Sequence, residues 1–281
     1  MSDLHNSFGE NIFTPPPITD QEYNFICTLV YEQSRIKLGE HKRELVMARL
    51  GKRLRKLGLK TYGDYCHYMR SPQGTEEMGD LIDAISTNHT FFFRENEHFD
   101  YIKSAILPTK PASMKIWSAA CSSGEEAYSI AVTLAEHYGA ASAAWGIDCT
   151  DISHKILKKA SDGIFAAERL QPVPPALINK YFLKGVGDSD GYYQAREEIR
   201  RHITFKHLNL LGSRYTFPGP YDIIFCRNVM IYFDKATQNE LVNKMLPLLR
   251  PGGWLFIGHA ESLTGTTHNL KMIKPAIYQK P

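Results

Sequence analysis

Lys115-Ile116-Trp117-Ser118-Ala119-Ala120-Cys121-Ser122-Ser123-Gly124-Glu125-Glu126 decides the fold: an apolar run passes through a turn of small residues and opens a helix that continues from Ala127 to His137. Small side chains let a ligand approach the backbone closely, the reason dinucleotide folds place glycines at this turn. The spacing is not G-x-G-x-x-G, however, and Glu125 and Glu126 fill the first turn of the helix, where the macrodipole already favours the protein's own anions. A pyrophosphate would be repelled there, whereas an ammonium or a sulfonium suits it. As local structure alone, Ser122 and Glu125 read equally as a capping box.

Outward from this turn, apolar runs at Trp145 to Thr150, Ile203 to Leu208, Tyr221 to Cys226, Trp254 to Gly258 and Ala276 to Gln279 alternate with amphipathic stretches such as Gln238 to Leu249. Near-continuous apolar strands separated by helices belong to a mostly parallel sheet covered on both faces. The fold class is therefore α/β, a doubly wound, Rossmann-like domain. Residues 181–201 break the pattern: two short runs flank a turn containing Gly185, Gly187, Asp188 and Gly191, which predicts a small antiparallel β insert. The second strand ends at Asp151, where an acidic side chain is placed to accept hydrogen bonds from both ribose hydroxyls of a nucleoside; a helix N-cap is the alternative use of the same residue. The carboxylate-bearing turn and the acidic strand tip together describe a pocket for a nucleoside joined to an amino acid, which points to S-adenosylmethionine.

Ahead of Lys115 the character is helical. Residues 1–17 are polar and end in Pro15-Pro16-Pro17, predicting a flexible leader. Thr19-Asp20-Gln21-Glu22 is a capping box that starts a helix running toward Gly39. A second helix is expected from His41 to Leu57, with Val46, Leu50, Leu54 and Leu57 on one stripe and Gly58 as its stop. Tyr62, Tyr65, Tyr68 and Met69 suggest a third, and Gly74 to Asp80 a break before Leu81 to Ile85. The expected organisation is a leader (1–17), an all-helical domain (18–80) and the α/β domain (81–281) with its insert.

The 281 residues, 43% hydrophobic and 22% charged, can bury a sizeable core, which excludes a disordered chain. No apolar stretch approaches the roughly 18 residues of a membrane span, and the first residues lack a signal peptide's basic start and apolar core, so a cytoplasmic protein is expected. Five scattered cysteines without a C-x-x-C pair read as free thiols; eleven histidines include no H-E-x-x-H, and no metal site is expected. Charge is uneven. Residues 35–70 hold eleven Lys and Arg against three acidic residues, a local +8 inside a chain of +3, so this segment is expected to meet something acidic.

Four segments carry a family resemblance: Ser86-Thr87-Asn88-His89-Thr90-Phe91-Phe92-Phe93-Arg94-Glu95, Gly124-Glu125-Glu126-Ala127-Tyr128-Ser129, Phe225-Cys226-Arg227-Asn228-Val229-Met230-Ile231-Tyr232-Phe233 and Gly258-His259-Ala260-Glu261. In this order they resemble the CheR-type chemoreceptor glutamate methyltransferases over about residues 18–281. Departures are small: Ala127 stands where the family often has proline, His89 falls at a variable position, and Cys121 extends the small-residue turn. The resemblance implies a cofactor site built from Asn88, Thr90, Arg94, Glu126, Asp151, Asn209, Leu210, Arg227 and Asn228, with Arg94 and Tyr232 beside the reacting methyl group. It also implies docking of the helical domain on the glutamate-bearing cytoplasmic helices of chemoreceptors, through Arg49, Lys52, Arg53, Arg55 and Lys56, and localisation to receptor arrays. The insert is similar to the β-subdomain with which some members hold a receptor's C-terminal peptide by strand addition. Taken singly, Phe91 to Phe93 read as core packing, Arg227 as an ion-pair partner, and Tyr232 as a core tyrosine whose hydroxyl still needs a partner. Asn228 differs, because an amide just beyond an apolar strand sits at the crevice where α/β folds bind ligands.

The reaction implied is methyl transfer from S-adenosylmethionine to a glutamate carboxylate, leaving S-adenosylhomocysteine. A glutamate of pKa ~4.3 is already ionised at neutral pH, so no general base is needed, and no Ser-His-Asp order or carboxylate dyad stands out. One competing reading is a nucleic-acid methyltransferase whose basic helices grip phosphates; against it, there is no N/D-P-P-Y/F motif, and no nucleic-acid partner is expected. Another is a non-catalytic module that senses the cofactor; the intact Asn88 segment and Tyr232 oppose it.

Overall fold

Thr19 caps the first helix as its neighbours predict: the Glu22 N–H donates to Thr19 Oγ1 at 3.3 Å, and the Thr19 N–H donates to Glu22 Oε2 at 2.8 Å. The computed structural model describes residues 15–109, 113–212, 215 and 219–281; the first fourteen residues of the expected leader lie outside it. The chain divides into two compact units, one running to Tyr31 and resuming over Leu38–Ile85, the other comprising Glu32–Lys37 and Ser86–Pro281. None of the described helices is long and apolar enough to cross a membrane. All five cysteines are free.

The first unit is helical: α1 (Asp20–Ser34), α2 (Arg43–Leu57), α3 (Tyr62–Arg70) and α4 (Gln73–Ile85). In α2, Val46, Leu50 and Leu54 are buried on one stripe, and Gly58 ends the helix in the left-handed region at φ 70°, where lack of a Cβ removes the steric cost. The expected break at Gly74 to Asp80 is absent, because α4 is continuous. Gly74 is there for close approach, since a Cβ would collide with the Met69 carbonyl, and the apolar face of Leu81, Ile82 and Ile85 is buried. The unit therefore ends at Ile85 rather than at residue 80.

Two residues of the expected basic docking face are absorbed by this packing. Arg49 Nη1 donates to the Ile85 carbonyl at 2.5 Å. Arg53 grips Glu77 through two bonds, Nε to Oε1 at 2.8 Å and Nη2 to Oε2, and reaches Asp80 at 2.6 Å. Glu77, with a side chain only 4% exposed, also accepts from the Tyr65 hydroxyl at 3.0 Å. Lys52, Arg55 and Lys56 are exposed; Lys56 lies 3.6 Å from Asp80.

The second unit contains α5 (Glu97–Tyr101), β1 (Met114–Ala119), α6 (Glu125–Tyr138), β2 (Trp145–Asp151), α7 (His154–Asp162), β3 (Ile164–Ala166), α8 (Pro175–Tyr181), β4 (Phe182–Lys184), β5 (Tyr192–Ala195), α9 (Glu197–Arg200), β6 (Ile203–His207), β7 (Tyr221–Cys226), α10 (Lys235–Met245), β8 (Leu249–Ile257), β9 (Lys271–Lys274) and β10 (Ile277–Gln279). The seven-stranded sheet has the order β6-β2-β1-β7-β8-β10-β9. The pairs among β6, β2, β1, β7 and β8 are parallel, while β10 pairs antiparallel with both β8 and β9. Strand order reverses at β1, which places a ligand crevice beyond the carboxyl ends of β1 and β7.

The period-2 pattern of buried strands explains why both faces are covered. Ile116, Ile223, Phe225 and Phe256 belong to one apolar cluster, with α6; Trp117, Ile224, Cys226, Leu255 and Ile257 belong to the other, with α10. Consecutive residues thus feed opposite layers.

The β insert is a three-stranded antiparallel sheet of order β3-β5-β4. Its third strand, Ile164–Ala166, lies before the expected bounds of 181–201; three residues are too few to show an alternation. Strand β9 was likewise not foreseen, being short and mostly exposed.

Candidate active site

The turn after β1 is built from left-handed backbone: Ala120 at φ 63°, Ser122 at 52° and Gly124 at 99°. Such conformations are costly for residues with a Cβ and cluster at functional sites. Asp151 holds the turn in place. Its Oδ2 accepts from the Ser122 N–H at 2.9 Å and its Oδ1 from the Ser153 N–H at 3.0 Å. The cap of α7 is Ser153, whose Oγ accepts from the Ile156 N–H at 3.1 Å, so Asp151 is not the helix cap. The capping box between Ser122 and Glu125 is not formed either, because Gly124 takes the cap position. Glu125 instead accepts from Ser123 Oγ at 2.6 Å and from Arg169 Nε at 2.9 Å. Arg169 also donates to the Thr90 carbonyl at 2.7 Å, tying the Asn88 segment to α6. Ser122 Oγ is buried without a hydrogen-bond partner among the described residues.

Beside this turn runs a buried ionic relay. Arg227, with a side chain 1% exposed, contacts Glu95 Oε2 at 3.0 Å and Glu126 Oε2 at 3.1 Å, and donates to the Arg94 carbonyl. Ser118 Oγ donates to Glu126 Oε1 at 2.7 Å. Asn228, at φ 58°, donates from Nδ2 to Glu95 Oε1 at 3.2 Å. Its backbone N–H donates to Glu261, which also accepts from Gly258 at 2.6 Å and Ile231 at 3.2 Å. Gly258 is required: a Cβ there would collide with the Asn228 side chain.

Burial raises the Glu126 carboxyl, and Arg227 and Ser118 offset this only in part. Burial likewise raises Glu261 against its backbone donors. For Glu95, burial pushes the same way, but Arg227 and Asn228 outweigh it and hold the carboxyl below its ordinary value. Two carboxylates, Glu95 and Glu126, thus share the single buried guanidinium of Arg227. Such a site favours a cationic ligand.

The remaining expected residues fall near this relay with differing engagement. Thr90 is buried and Asn88 half-buried. Arg94 donates from Nη1 to the His89 carbonyl at 2.8 Å and lies 5.7 Å from the Phe91 ring centroid. Asn209 follows Leu208, whose N–H donates to the Asp151 carbonyl at 3.0 Å. Its amide is spent within the unit, donating to the Gln33 carbonyl at 2.7 Å and accepting from Leu211 at 2.9 Å; Leu210 is buried. Tyr232 closes the short 3₁₀ turn Met230–Tyr232, which Glu261 pins through Ile231. Phe92 and Phe93 are packed, at 4.9 Å from Phe165 and 5.3 Å from Phe99, whereas Phe91 is 39% exposed. Glu95, Glu261, Ser122 and Arg169 were assigned no cofactor or catalytic role by sequence reasoning, since no spacing marks a carboxylate that anchors an arginine 132 positions away.

Residues 88–278 match the CheR methyltransferase SAM binding domain, and residues 21–86 match the CheR methyltransferase all-alpha domain. The chain belongs to the CheR methyltransferase family. A chemotaxis protein methyltransferase of Salmonella typhimurium is 40% identical over 93% of this chain and 90% of its own length. Those of Escherichia coli (40% identical, 93% of this chain, 91% of the relative) and Borreliella burgdorferi (38%, the full length of both) are similar. The relay and the strained turn therefore belong to a CheR domain whose cofactor is S-adenosylmethionine, a cation that fits the carboxylate excess and the orphaned Ser122 hydroxyl.

Proposed function

We propose that this CheR family member esterifies glutamate side chains of chemoreceptors with S-adenosylmethionine, for sensory adaptation, and that the site described above carries the reaction. The observation that carries the reading is the relay Glu95–Arg227–Glu126 beside Asp151 at the strand-order reversal, with more negative than positive charge. Glu126 and Asp151 are assigned to the cofactor's ammonium and ribose hydroxyls. Arg227 and Asn228 fix the edge of the pocket, Leu210 provides an apolar wall, and Asn88 and Thr90 complete it. When bound, the cofactor supplies an electrophilic methyl group on a sulfonium.

The protein's own contribution is alignment and exclusion of water. The attacking glutamate is already ionised near neutral pH, so no residue needs to remove a proton. Charge is lost as sulfonium and carboxylate become neutral, so a dry, aligned pocket accelerates the step more than added charge does. Arg94 would stabilise the ground-state carboxylate as well as the transition state; its value is the orientation that a planar guanidinium imposes through paired hydrogen bonds. Tyr232 is assigned to the same wall.

Lys52, Arg55 and Lys56, the exposed remainder of the basic face, are assigned to the acidic receptor helices. The edge strands of the insert, β3 and β4, suit addition of a receptor tail peptide.

The test is incubation of the full chain with labelled S-adenosylmethionine and either receptor cytoplasmic fragments or nucleic acid, followed by mass spectrometry. Methyl esters on receptor glutamates are expected, with Arg94→Lys at least ~10-fold slower although its charge is kept. Label on nucleic acid alone, or an Arg94→Lys enzyme with full turnover, would overturn the reading or the role of Arg94 respectively.

A further inference from the structure

His98, on α5, is buried with a side chain 1% exposed, yet neither ring nitrogen has a hydrogen-bond partner among the described residues. An orphaned buried polar group is costly, so it calls for an explanation, a bound ion being one. Two further ligand-type groups converge on it. Glu95 Oε2 lies 3.7 Å from His98 Nδ1, and the His259 ring meets the His98 ring edge-on at 4.9 Å between centroids.

We propose that Glu95, His98 and His259 form a binding site for a divalent transition-metal ion of zinc-like preference. One ligand atom from each lies within 4.8 Å of the others. Metal–ligand bonds of ~2.0–2.1 Å in a tetrahedron put ligand atoms ~3.3 Å apart. The Glu95–His98 separation is close to that, and His259, which is exposed, supplies the closing movement and the entry path. The outer shell is already in place, because Arg227 and Asn228 orient the Glu95 carboxylate, as second-shell groups do in metal sites. The guanidinium opposes a dication, and Glu95, ion-paired to it at 3.0 Å, is the carboxylate that offsets it. An ion here shares Glu95 with the relay.

The probe is Co²⁺ added to the chelator-stripped full chain, followed by visible ligand-field absorption and displaced by Zn²⁺ in calorimetry. One equivalent is expected to give the absorption of a four-coordinate ion. Affinity should fall at least ~10-fold in both His259→Ala and Glu95→Gln, and circular dichroism should confirm that the exposed His259→Ala variant keeps its fold. The competing location is the exposed pair His154 and His207, stacked at 3.7 Å. No absorption beyond that of aqueous Co²⁺, unchanged affinity in both variants, or loss only in His207→Ala would each overturn the proposal.

Discussion

Glu126 is held between opposing demands. Burial raises its carboxyl above the ordinary 4.5, while Arg227 and Ser118 favour the charged form. A carboxyl raised in the folded state lends stability below its unfolded pKa and loses that contribution as pH rises through the folded value. At neutral pH the ionised side chain is therefore a cost to the empty site, and a cation placed beside it recovers that cost. Cofactor affinity should then weaken as pH falls from 7 through the raised folded value, as Glu126 takes up the proton that binding must expel. Glu95 responds in the opposite sense: its lowered carboxyl adds stability above its unfolded pKa and loses it as pH falls through the folded value. Calorimetry of S-adenosylhomocysteine binding across this range checks the expectation. Glu126→Gln should bind more weakly at pH 7, by ~10-fold or about 1.4 kcal/mol, with a flatter pH profile. A wild-type profile with no slope would remove Glu126 from the ligand's surroundings.

Single elements separate what α2 does for the fold from what it offers a partner. Arg53 neutralises Glu77, whose side chain is 4% exposed, so Arg53→Ala should cost about 3–5 kcal/mol by stranding a buried carboxylate. The exposed trio Lys52, Arg55 and Lys56 should each change stability by no more than ~0.5 kcal/mol on truncation. Urea unfolding distinguishes the two; equal losses would mean that the Arg53 pair is not the anchor. This division was not legible in the sequence, where Arg49, Lys52, Arg53 and Lys56 form one helical face. Spacing assigns a residue to a face but does not reveal an acidic partner on another helix. Elements governed by local chemistry were legible: the Thr19 cap, the Val46–Leu50–Leu54 stripe with its Gly58 stop, and the central strands. Those governed by tertiary contact were not, namely α4 through Gly74, the three-residue β3, and Glu95 as the anchor of Arg227.

For the whole molecule the decisive quantity is where charge lies. A net +3 hides a local +8 over residues 35–70, and the internal hydrogen bonds of Arg49 and Arg53 leave Lys52, Arg55 and Lys56 as the exposed part of this face. In the proposed docking, attraction between that patch and clustered receptor glutamates acts through solvent, over a screening length of ~10 Å at 0.1 M salt. It should therefore govern encounter more than chemistry. In the proposed pocket, by contrast, the charges beside the cofactor are buried and salt screens them far less. Raising salt from ~50 to ~300 mM should lower receptor methylation about tenfold, while calorimetric affinity for S-adenosylhomocysteine stays nearly constant. The triple variant Lys52→Ala, Arg55→Ala, Lys56→Ala should start from a lower rate at low salt and lose most of the slope. If it kept the wild-type slope, the acidic partner would be meeting a different surface, and the charge bias of the helical unit would have to be explained by solubility alone.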